Sequence, residues 1–354
     1  VNATRVIDLE DTDGLLAADR DGLLRAASSA GAQVRAIAAA VDEGALETLR
    51  TEDRPRSVIW VAGRGTAETA GAMLAATLGS SASAPISVVS EAPPWVGPLD
   101  IVIVAADDPG DPSVVAAAAT GVRRGARVVV VAPYQGPLRD STAGRATVLA
   151  PRLWAPDEFG LCRYLAAGLA VLHSVDPRLS IDLASLADEL DAEALRNSAG
   201  RELFTNPAKT MAARISEHRV VLAGDCAATL ALARHGSSIL LRIANHVVAA
   251  TGLADAVVAA HSTPAPSVDA LFHDEEIDGP LPDRLRVLAL TLAGDRTVAA
   301  ARVAGLDDVY LVTAEDIPDA PERTSTAAGP AEQQLAVLAV RLEMAAVYLR
   351  LVRG

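Results

Sequence analysis

The chain has 354 residues, 51% of them hydrophobic but only 3% aromatic, and 31 basic against 45 acidic side chains give a net charge of −14. That charge, with no basic run, repels a phosphate backbone and excludes nucleic acid as a partner; two cysteines, Cys162 and Cys226, exclude a disulfide framework or a zinc quartet. Apolar runs such as 101–106 and 128–132 fall well short of the roughly 18–20 residues that cross a bilayer, and the first residues lack the basic, apolar, small-residue order of a signal peptide, so the expectation is a cytoplasmic protein without a membrane partner.

The length exceeds the roughly 250–300 residues at which single cores stop growing, so two compact units are expected. With so few aromatics, Ala, Val, Leu and Ile must fill the cores, which suits helices packed closely on parallel strands. Over 1–50, apolar residues recur at helical spacing through Leu15, Leu16, Leu23, Leu24, Val34, Ile37 and Val41, predicting a helical opening. Over 51–175, β-branched runs alternate with Ala-rich stretches. Strands are predicted at 58–62, 86–89, 101–105, 127–132 and 146–149, with helices at 66–78, 112–123 and 159–172. The charge-rich 176–205 reads as a helical bridge.

A second cycle is predicted over 206–321. A helix starts at Asn206, a good N-cap, followed by Pro207 at the first helical position. Strands follow at 219–223, 256–259, 285–290 and 308–312, and helices at 227–234, 238–250 and 296–304. Residues 322–354 are a Ser/Thr/Gly/Pro link and a long apolar closing helix, which needs a core or a partner subunit to cover it. The fold class is therefore α/β, with two three-layer α/β/α sandwich domains built on parallel sheets. Ligand sites in such sheets lie beyond the carboxyl ends of the strands.

One lysine, Lys209, stands among the 31 basic residues. A GC-rich coding sequence accounts for the scarcity, and the first-turn position mildly disfavours a cation. A carboxylate such as Glu202, a bound phosphate or a partner subunit are the candidate compensations. After the first strand, Gly63-Arg64-Gly65-Thr66 can bring backbone N–H groups and a guanidinium to an anion at a helix start, or can be a structural turn alone. Glu68 stands where a dinucleotide fingerprint needs its third glycine, so no nicotinamide cofactor is expected. Five of the six histidines fall between His218 and His273, at spacings that match no metal-ligand signature.

Four segments in this order carry a family resemblance: Gly63-Arg64-Gly65-Thr66, Ala150-Pro151-Arg152, Asn206-Pro207-Ala208-Lys209, and Phe272-His273-Asp274-Glu275. The chain resembles double sugar-isomerase (SIS) domain proteins of the bacterial and archaeal bifunctional phosphoglucose/phosphomannose isomerase type, including the actinobacterial TobH-like proteins. The resemblance implies aldose–ketose isomerisation of a sugar phosphate through an enediol, without a cofactor, by a homodimer. It implies that Arg152 steadies developing charge, His273 opens the sugar ring, and Gly63, Arg64, Gly65 and Thr66 hold phosphate. Other matches depart from the pattern. His246 stands at the position of the catalytic carboxylate base, Asp107 and Asp108 stand in the phosphate loop after the third strand, and no lysine follows the closing helix. Asp274, Glu275 and Glu276 are either a replacement base or a solvated helix end. Two readings follow: a sugar-phosphate isomerase, or a non-catalytic sugar-phosphate binder acting as a regulator or scaffold.

Overall fold

The computed structural model describes residues 7–51, 53–216, 218–262, 284–316 and 329–353. The described residues divide by contact into two units. One draws on 20–198 and 329–341 and is called the five-stranded unit; the other draws on 1–19, 199–328 and 342–354 and is called the four-stranded unit.

In the five-stranded unit, β1 (Ser57–Val61), β2 (Ile86–Val89), β3 (Asp100–Ala105), β4 (Arg127–Val131) and β5 (Thr147–Val148) form a parallel sheet in the order β2-β1-β3-β4-β5. β1 and β3 are buried along their whole length, which is why they read as unbroken Val/Ile runs. Alternate residues serve opposite faces. Ile59, Val61, Val102, Val104, Val128 and Val130 pack on one side with Val114 and Ala118 of α5 (Pro112–Arg123). On the other side Trp60 meets α4 (Gly65–Leu78) and α7 (Leu161–Val175) where both carry glycine: a Cβ on Gly71 would lie 2.4 Å from Trp60, and one on Gly168 2.9 Å. Trp60 Nε1 donates to the Ala67 carbonyl at 2.9 Å.

The opening helices α1 (Thr12–Ala18), α2 (Leu23–Ala27) and α3 (Ala30–Asp42) follow the helical reading of 1–50. A short α6 (Gly136–Thr142) links β4 to β5. The segment 176–205 runs from the five-stranded unit, which takes it as far as Ser198, into the four-stranded one; its α8 (Leu183–Arg196) packs on α3, with Gly31 tight against Ala187 and Asp191.

The four-stranded unit has β6 (Arg219–Gly224), β7 (Ala249–Gly252), β8 (Leu285–Leu290) and β9 (Val309–Val312), all parallel, in the order β7-β6-β8-β9. α11 (Leu253–His261) and α12 (Arg296–Val303) pack on one face through Leu253, Ala256, Ala299 and Val303. Gly236 of α10 (Ala227–Ala244) fits against Leu222 and against Leu342 of α13 (Ala331–Arg353) on the other.

Two sequence expectations fail here. The apolar run 256–259 lies inside α11 rather than forming a strand, because four apolar residues fit either period and the flanking alanines favour helix. The edge strand is Ala249–Gly252, whose small residues carry no strand propensity and which is fixed by pairing with β6. Likewise 227–234 and 238–250 are not two helices: α10 runs unbroken to Ala244 and ends at Asn245, in the left-handed region at φ 48°.

Lys209 is fully buried in α9 (Pro207–Ile215), whose N-cap Asn206 accepts from the Lys209 backbone N–H at 2.9 Å. Its Nζ donates to the Ala199 and Arg201 carbonyls, both at 2.8 Å, and lies 5.6 Å from the Tyr348 ring centre. Backbone carbonyls and a ring face, rather than Glu202, receive the ammonium. Burial lowers its pKa, with Glu10 and Asp8 acting in the opposite direction.

The closing helix α13 is covered within the chain, with Leu335 through Leu349 almost continuously buried. Two of its buried ionisable side chains face partners. Arg341 Nε lies 2.8 Å from Glu193 Oε1, both side chains nearly inaccessible, and His235 Nε2 lies 3.0 Å from Glu343 Oε1. No described helix is long and apolar enough to cross a membrane.

Burial pushes the Glu193 pKa up and Arg341 pulls it down, the net result lying below its ordinary 4.5. Its stabilisation is therefore present above pH 4.5 and is lost as pH falls through the depressed native value. Glu193→Ala, which removes the buried carboxylate that faces both Arg341 and Arg196, is expected to destabilise the five-stranded unit by about 3–5 kcal/mol at neutral pH. Urea unfolding across acid pH is the check, and a variant as stable as the parent would contradict it.

Candidate functional site

In the five-stranded unit the chain leaves β1 toward β2 on one side, while β3, β4 and β5 extend on the other. This makes the carboxyl ends of β1 and β3 the topological switch point, the place where open α/β sheets bind their ligands. The register pairs Val61 with Val104, so the loops that follow start side by side.

After β1, Arg64 is extended and Gly65 takes φ 69°, a conformation that strains any residue with a Cβ. That turn starts the 14-residue α4, leaving its first N–H groups at the switch point. Arg64 is 76% exposed, with Asp111 Oδ2 3.8 Å from its Nη2. Thr66 is buried and donates from Oγ1 to the Asp157 carbonyl at 3.1 Å. Asp111 caps α5 by accepting from the Ser113 hydroxyl and backbone N–H, which hold its carboxyl below the usual range.

After β3, Asp107 turns toward α7. Its Oδ1 accepts from Arg163 Nη2 at 2.6 Å and from the Tyr164 hydroxyl at 2.8 Å. The guanidinium stacks 4.6 Å from the Tyr164 ring centre. Arg163 is 10% exposed against 34% for Asp107, and burial raises the Tyr164 pKa, so its hydroxyl stays protonated as a donor. Gly160, just before α7, lies close to both groups: an added Cβ there would lie 3.3 Å from Arg163 Nη2 and from Thr66 Oγ1.

The four-stranded unit repeats the arrangement with different donors. Its switch point lies between β6 and β8, and Asp225 fills it: Oδ1 accepts from Thr229 and Oδ2 from Thr291, both at 2.8 Å. Gly224 is required there, since a Cβ would lie 2.2 Å from the Leu230 nitrogen.

This architecture was compared with known proteins. No protein-family model matches the sequence, and no curated protein matches it. Solved structures do. The tagatose-6-phosphate ketose/aldose isomerase of Escherichia coli superposes over 99% of this chain and 95% of its own, at 15% identity and TM-score 0.63. The C-terminal domain of glucosamine-fructose-6-phosphate aminotransferase from Francisella tularensis superposes over 94% and 96%, at 11% identity and TM-score 0.59. The chain has the double SIS fold.

Within that fold the expected residues fall in both units, each described in its own sheet. Gly63, Arg64, Gly65 and Thr66 lie at the switch point of the first SIS sheet. Arg152 follows β5, the edge strand, and its guanidinium is held bidentately by Glu43 at 2.7 and 2.5 Å; the pairing raises the Arg152 pKa and lowers that of Glu43. His246 belongs to the other unit and sits at the opposite end of its sheet. It follows α10 and precedes the start of β7, which places it at the amino ends of the strands. Its Nδ1 accepts from Arg353 at 2.7 Å and its Nε2 is buried. His273, with Asp274, Glu275 and Glu276, lies outside the described residues.

Sequence reasoning missed Arg163 and Tyr164. The available signal was a lone arginine in the otherwise apolar stretch 159–172, since a buried guanidinium needs an anionic or hydrogen-bonding partner. Among the described residues no three His, Cys, Asp or Glu side chains gather as a metal site.

Burial first, and then the Arg353 charge, lower the His246 pKa from 6.5, with the Ile215 backbone acting in the opposite direction. NMR titration of His246 should therefore give a midpoint below 6.5, and Arg353→Gln should move it upward. An unchanged midpoint in that variant would refute the assigned contact.

Proposed function

We propose that this chain binds a sugar phosphate at the switch point of its first SIS sheet and does not isomerise it. The observation that carries this reading is the β1 loop, where Gly65 at φ 69° opens α4 and leaves Arg64 76% exposed beside the first helical N–H groups. Oriented N–H donors and a guanidinium suit a phosphate dianion. The shared fold with a tagatose-6-phosphate isomerase supports the ligand class, as does the order of motifs resembling phosphoglucose/phosphomannose isomerases.

The isomerase reading assigns Arg152 to the enediolate, His273 to ring opening, and His246 or a nearby carboxylate to proton abstraction. Two contacts weigh against it: Arg152 is paired with Glu43, and His246 lies at the amino ends of its sheet with Nδ1 bound by Arg353. A regulator or scaffold of sugar-phosphate metabolism is the second reading. It is favoured by Trp154, 90% exposed next to the partly exposed Leu153 in the segment after β5. The homodimer belongs to the proposal as well, and molecular mass in solution tests it.

Glucose, mannose and fructose 6-phosphates are the probes, in a coupled isomerase assay and in thermal unfolding. The expected result is no turnover together with stabilisation by at least one sugar phosphate, near 2.7 kcal/mol at a hundredfold excess over Kd. Arg64→Ala should weaken that binding about tenfold, the loss of one charge-assisted contact. Turnover abolished by His273→Ala would establish the isomerase instead. Neither turnover nor stabilisation would leave the partner-protein reading.

A further inference from the structure

We propose that the Arg163 guanidinium and Tyr164 hydroxyl form an oxyanion site for a phosphate-sized ligand, and that Asp107 is its built-in occupant. The two donors come from successive residues on α7 and converge on a single oxygen, Asp107 Oδ1, at 2.6 and 2.8 Å. Both are held rigidly, since Tyr164 is fully buried and Arg163 nearly so in a helix whose Leu161, Leu165, Ala166 and Leu169 are core residues. A planar guanidinium with a hydroxyl beside it is matched to the oxygens of phosphate or carboxylate. The site also stands where a ligand can reach it: Asp107 is 34% exposed, and Gly160 joins this pair to Thr66 of the β1 loop at the switch point.

Asp107 is not needed to shape its own loop. The turn after β3 is closed by Asp108, whose carboxylate accepts from the Gly110 N–H at 2.7 Å and whose carbonyl accepts from the Asp111 N–H at 3.2 Å. Among the described residues, Asp107 Oδ2 accepts from none. The side chain therefore serves the donors on α7. Being tethered, it competes with a free anion at high effective concentration, so the parent protein keeps Arg163 closed to anions until Asp107 swings away.

The class of ligand rests on the sugar-phosphate reading above; the site itself does not. Its test uses the full chain with inorganic phosphate and, separately, glucose 6-phosphate, followed by thermal unfolding and calorimetry. Asp107→Ala is expected to lower the midpoint, to regain it in millimolar phosphate, and to bind phosphate at least tenfold more tightly than the parent. Adding Arg163→Met should abolish that gain. Asp107→Asn retains an accepting oxygen and should show a smaller gain in the same direction, which keeps the test open if the alanine variant does not fold. Equal gains for the two probes indicate a site for the oxyanion alone, and a larger gain for glucose 6-phosphate indicates one that also holds the sugar. No gain in either Asp107 variant, or a gain that survives Arg163→Met, overturns the proposal. Gain in the variants without sugar-phosphate binding by the parent would reject the proposed function alone; the converse would reject this site alone.

Discussion

The parallel pairing of β1 with β3 is the constraint on which the candidate site depends. Its register brings the ends of two fully buried strands level, and the reversal of strand order at that point sends their loops apart. Everything assigned to ligand contact follows from this geometry: the Gly63–Thr66 turn on one side, Asp107 on the other, and α7 supplying Arg163 and Tyr164 beneath. Burial on both faces also dictates the surrounding sequence. Val and Ile fill the strands, and helices bearing Gly71 and Gly168 come close enough to cover Trp60.

Cores made largely of alanine and valine offer few polar groups, and the buried ionised side chains described above have specific partners. Glu193 has Arg341, Asp107 has Arg163, and Lys209 has two carbonyls and an aromatic face. Breaking such a pair costs more than the pair contributes, because the surviving charge stays buried. Both switch points follow the same rule. Asp107 and Asp225 each have their oxygens met by donors of the same unit, a guanidinium and a phenol in one case and two threonine hydroxyls in the other.

Much of the fold was legible because its signals are local. β1, β3 and β4 announce themselves as β-branched runs, and α9 by its Asn-Pro start. What escaped was set by pairing across distance. Ala249–Gly252 becomes a strand because β6 offers it a ladder, not because alanine and glycine favour one. The site was legible as far as its loops: Gly65 in a strand-to-helix turn, and two carboxylates where an anion was expected. The partner that reverses the meaning of Asp107 lies 56 residues away on another element, and no periodicity connects them. His246 was singled out by its place in a motif alone, and only the ladder of β7 on β6 shows that it stands at the amino ends of its strands.

The closing helix carries a consequence for how the chain comes into being. Residues up to Arg341 complete the core of the five-stranded unit, and those from Leu342 complete that of the four-stranded unit. The two units are thus interleaved along the sequence, and no single cut in the chain releases either one whole. The five-stranded unit, although most of its residues come early in the chain, takes its last stretch from the same helix as its neighbour. Domain-by-domain folding from the N-terminus is the usual order for chains of this size, and here the first unit's residues are completed only near the end of the sequence. Both cores are finished by one helix, within a few residues of each other.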